Sequence, residues 1–72
     1  MSAIPEKIDR KVFPELDLIL WDNAARYIAP ADAFHIYEER WHYVDQNHLG
    51  DEERRFIGKL TEEFGNGLFL TA

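Results

Sequence analysis

The chain has 72 residues, no cysteine, 46% hydrophobic and 14% aromatic residues, and a formal net charge of −6. That length permits one domain. Without cysteine there are no disulfides or thiolate metal sites, and the apolar content excludes a disordered chain. The negative charge argues against nucleic acid and anionic membranes as partners, because both recruit cationic surfaces.

Residues 1–13 read as a polar lead-in, with 1–12 frayed or forming a short helix from Pro5, and with Ile4, Ile8 and Val12 spaced by four. Residues 14–22 support two readings. Leu16, Leu18 and Leu20 alternate as in a strand, while Leu16, Ile19 and Leu20 make a helical face. Pro14, Glu15 and the leucine content favour a short helix.

Residues 30–48 give the clearest pattern. Pro30 suits a first helical position, and no Gly or Pro follows until Gly50. Phe34, Tyr37, Trp41 and Val44 share one face, which Ala33, Ile36 and Tyr43 widen to about half the circumference. Arg40 projects within this arc. It either holds a carboxylate such as Asp17 or Asp22, or that of an anionic ligand, or covers the core edge with its stem while its head reaches water. Residues 51–64 form a second helix, with Phe56, Ile57, Leu60 and Phe64 inward. Gly65 fits the left-handed position that ends helices. The short connection makes the two helices an antiparallel hairpin. The final apolar run, 68–70, docks on the hairpin or pairs with 16–21.

The expected fold is therefore mainly α: a single helical domain over residues 1–72, with hairpin 30–47/51–64 and a short N-terminal helix. The alternative is α+β, with 16–21 paired to 68–71.

Four features bear on function. The stripe His35, Glu38, Glu39 and His42 places imidazoles beside carboxylates at i, i+4. Its two histidines are seven residues apart, about 10 Å along a helix, which suits a solvated face better than a metal site. The hairpin invites a DNA-binding helix-turn-helix reading, with Arg54, Arg55 and Lys59 on the second helix. Asp51, Glu52 and Glu53 crowd the end that would meet base edges. Gly65-Asn66-Gly67 is too short for a phosphate loop. Ser2 is the sole serine, so nucleophilic catalysis lacks a plausible residue.

No apolar run approaches the roughly 20 residues of a membrane span, and the N-terminus lacks a signal-peptide core. A cytoplasmic location is the default. The expected function is that of a small non-catalytic interaction or regulatory protein, without cofactor or metal. It would act on a protein partner or a second copy through Tyr37, Arg40, Trp41 and Tyr43. One form is an acidic protein covering a cationic surface of its partner. The rival readings are DNA binding and, more distantly, a metal-dependent enzyme.

Overall fold

The computed structural model describes residues 4–70. The described residues form three α-helices and one small sheet: β1 (Ile8–Asp9), α1 (Pro14–Ile19), β2 (Tyr27–Ile28), α2 (Pro30–Arg40) and α3 (Asp51–Phe64). The domain is mainly α, and α1 and α3 both pack on α2. Phe34, near the start of α2, meets Phe64 at the end of α3. Tyr37, one turn further along α2, meets Phe56 near the start of α3. The two helices therefore run antiparallel, as the hairpin reading expects.

The segment 14–19 is helical, and the strands lie elsewhere. β1 pairs antiparallel with β2, with Ile8 opposite Ile28 and Asp9 opposite Tyr27. Residues 8–12 thus form a strand and a 3₁₀ turn, not the helix that the spacing of Ile4, Ile8 and Val12 suggests. Extended backbone sends alternate side chains the same way. Ile8 and Arg10 both turn inward and are buried, while Val12 stays half exposed. Arg10 N continues the pairing by donating to Arg26 O at 3.0 Å.

The helix expected over 30–48 ends at Arg40. The chain tightens there into a 3₁₀ turn, Trp41–Tyr43, and then extends at Val44. Asp45 caps a further 3₁₀ turn, Gln46–His48, by accepting from Asn47 N at 3.0 Å. The break has a physical reason. It frees Asp45 N to donate to the buried Glu15 carboxylate at 2.8 Å, and the connection carries Val44 and Leu49 into the core.

α3 keeps its expected bounds. Its terminal glycine acts differently from the expectation, because Gly65 has φ −112°, outside the left-handed region. A Cβ there would lie 2.3 Å from Leu68 O and 2.8 Å from Phe34 Cζ. Lack of room, not backbone sign, calls for glycine. The left-handed residues are Asn66 (φ 51°) and Gly67 (φ 84°). This turn sends the C-terminal segment back over α2. Phe69 packs on Phe34 and Trp41, and Leu70 N donates to Glu38 Oε2 at 2.9 Å. The run 68–70 therefore docks on the hairpin. Thr71, the last residue of the alternative pairing, lies outside the described residues.

α1 has only six residues, and a helix that short is marginal alone. Phe13 at its cap position has no side-chain oxygen to offer. The Glu53 carboxylate, from α3, takes over by accepting from Glu15 N at 3.3 Å and Leu16 N at 3.0 Å. At the other end, the Arg10 guanidinium donates to Asp17 O at 3.0 Å and Leu20 O at 2.8 Å. It also donates to Asn23 O, to Ala25 O and to the Asp17 carboxylate. Acid at the amino end and base at the carboxyl end both match the helix dipole.

Candidate interaction surface

The four residues expected to form an interface divide between core and surface. Tyr37 belongs to the core: it is fully buried at the centre of the α2 arc, where α1 and α3 close over it. Its hydroxyl donates to Glu53 Oε2 at 2.7 Å. Burial, then the Glu53 carboxylate, push its phenol well above the usual range. A side chain so enclosed cannot touch a partner, so Tyr37 leaves the candidate set. Trp41 is half-buried, edge-on to both Tyr37 (6.5 Å) and Phe69 (5.0 Å).

Arg40 and Tyr43 do reach the surface, and they meet there a residue the sequence pattern did not single out. Trp21, just past α1, is 59% exposed and Tyr43 is 60% exposed. Their rings make a T-shaped contact at 5.1 Å. The Arg40 guanidinium lies 4.3 Å from the Trp21 ring centre, a cation–π arrangement. Arg40 Nη1 and Nη2 each donate to one Asp22 carboxylate oxygen at 2.8 Å, and Nη1 also reaches Ile19 O. That fork fixes the guanidinium plane against the indole. The hydrogen bond from Arg40 holds the Asp22 carboxyl below its usual range. His42 extends the patch, with its ring 4.0 Å from that of Tyr43.

Of the two roles open to Arg40, the structure shows the carboxylate pair, with Asp22. Asp17 belongs to Arg10. Trp21 had a signal in the sequence: it adjoins Asp22, one of the two carboxylates considered for Arg40. What the sequence could not supply was the turn that brings Tyr43 alongside, because an unbroken helix would have placed Tyr43 differently.

The His35/Glu38/Glu39/His42 stripe does not converge. Glu38 is engaged with Leu70 N, and the His42 ring lies tilted against Tyr43. Among the described residues, no group of three or more His, Asp or Glu side chains has metal-site geometry. On α3, Arg54 donates to Leu49 O at 3.3 Å and Gln46 O at 2.8 Å. It ties down the connection, while Arg55 and Lys59 make no ion pair or side-chain hydrogen bond among the described residues. Glu53, from the same first turn, points into the core. No helix among the described residues is long and apolar enough to cross a membrane.

Comparison of the chain with protein-family models, with curated proteins and with solved structures finds no match.

Proposed function

We propose that this chain is a small, non-catalytic interaction protein that engages a protein partner through Trp21, Arg40 and Tyr43. One observation supports this reading above the others. Two large aromatic rings, each more than half exposed, are fixed by mutual contact and by an arginine locked to Asp22. Trp, Tyr and Arg are the residues that dominate binding energy at protein interfaces. Rings already held in place lose little further freedom on binding. A second copy of the chain is the simplest partner, through a two-fold contact of this patch with itself.

The test is affinity capture from the native host with wild-type bait beside Trp21→Ala and Tyr43→Ala. Proteins retained by the wild type and lost from both variants support the reading; an unchanged set refutes it. Sedimentation showing only monomer at about 100 µM, a scale for weak association, removes self-association and leaves a heterologous partner.

A further inference from the structure

The eight cationic side chains of this acidic chain are not used alike. Arg10, Lys11, Arg26 and Arg40 pair with carboxylates. Arg54 donates to backbone carbonyls. Among the described residues, Lys7, Arg55 and Lys59 make no ion pair and no side-chain hydrogen bond. All three line one groove of about 510 Å³ between the N-terminal segment and α3.

Apolar side chains make up part of that groove's lining. Phe13 and Phe56 stack with ring centres 4.1 Å apart and planes within 10°, and half-exposed Val12 lines it too. Two carboxylates also line it. Asp9 is engaged by the Arg26 fork and by Lys11 N, so it does not cancel the free cations. Glu52 offsets one of them, leaving a net positive mouth on a molecule of net charge −6. The volume lies within the range of about 300–1,000 Å³ common to small-molecule sites.

We infer that this groove binds a small amphipathic anion: an apolar chain or ring against Phe13 and Phe56, with a carboxylate or phosphate head at Lys7, Arg55 and Lys59. Unpaired cations around an apolar floor repel one another when empty, and an anionic head relieves that repulsion. A neutral ligand would gain only the apolar contact. This site shares no residue with the Trp21/Tyr43 patch, so either can fail without the other.

The test is a titration of the full chain, followed by amide NMR shifts, with decanoate, decyl phosphate and 1-decanol. The expected result is saturable shifts confined to residues 7–13 and 52–59. One of the two anions should bind at least about tenfold more tightly than the alcohol, and the tighter one identifies the head group. Arg55→Gln with Lys59→Gln should remove most of that advantage while circular dichroism stays unchanged. If the double variant misfolds, the anion-to-alcohol ratio on the wild type decides. The proposal is overturned by no saturable shift up to about 1 mM or by equal binding of decanol. It is also overturned by saturation with an oligoglutamate peptide but not with either anion, which would make the groove a protein-docking site.

Discussion

α1 and α3 show two ways of making a helix in one small domain. α3 has 14 residues and a clear apolar stripe, with Gly50 and Gly65 as its bounds. Its local sequence carries most of what it needs. α1 has six residues, no side-chain cap of its own, and polar partners that lie outside the helix. Its amino end depends on Glu53, 37 positions beyond Leu16. Its carboxyl end depends on Arg10, four residues ahead of the helix, just past β1. The lesson is that a buried charge in this domain does local work at a distance: it completes a helix whose own residues cannot.

Changes in these partners should damage the fold more than changes in α1's exposed residues. Glu53→Ala has the largest expected effect. It strands two buried amides and the Tyr37 hydroxyl, and should destabilise the domain by about 3–5 kcal/mol in urea unfolding. That is comparable to the whole stability of a small domain. Glu53→Gln keeps one acceptor oxygen and should cost clearly less. Equal loss for the two variants would mean that packing, not capping, dominates.

Arg10→Met comes next, at about 2–4 kcal/mol. It leaves the carbonyls of Asp17, Leu20, Asn23 and Ala25 without their shared donor. A loss under about 0.5 kcal/mol would place Arg10 among ordinary surface cations and remove the dependence of α1 on it.

Tyr37→Phe removes one hydrogen bond to Glu53 and should cost about 1–2 kcal/mol. It also carries a pH signature. The folded phenol titrates above its ordinary 10.0. Its contribution is full below pH 10 and falls as the pH rises beyond it, because only the unfolded chain readily releases the proton. The phenylalanine variant should lose that part of the alkaline decline, as read by unfolding midpoints on either side of pH 10.

The smallest expected effect is on the acid side. Arg26, Arg10 and Arg40 hold Asp9, Asp17 and Asp22 below their ordinary 3.8. These carboxylates contribute fully above that value and lose their contribution as pH falls through the lower folded values. Acid unfolding midpoints should shift to higher pH in Arg40→Met, by an amount that salt reduces. A salt-independent shift would point to lost stacking on Trp21 instead.

Much of the fold was legible because period and turn chemistry suffice for long amphipathic segments. The hairpin was readable from such patterns; for 14–19 and 68–70 they offered the observed arrangement as one of two, and only the tertiary packing chooses between them. The end of α2 was harder, since no Gly or Pro marks it. The available sign was Asp45, a turn former ahead of Asn47. The two-residue strands left no period to detect, and the burial of Arg10 depends on their pairing. At the surface, Arg40 and Tyr43 were visible from the helical arc, but Tyr37 was not separable from them. A wheel shows which residues share a face, not which of them a neighbour covers. Trp21 entered the patch through a tertiary contact that no local window contains.

The Glu53 carboxylate also sets the order in which the molecule can open. It joins the first turn of α1, the core tyrosine of α2 and the first turn of α3 at a single buried point. The opening turn of a six-residue helix would normally fray on its own. Here the Glu15 and Leu16 amides can exchange with solvent deuterons only when α3 moves away. Their exchange should therefore report opening of the whole domain rather than of a local end, making the shortest helix one of the last parts to come undone.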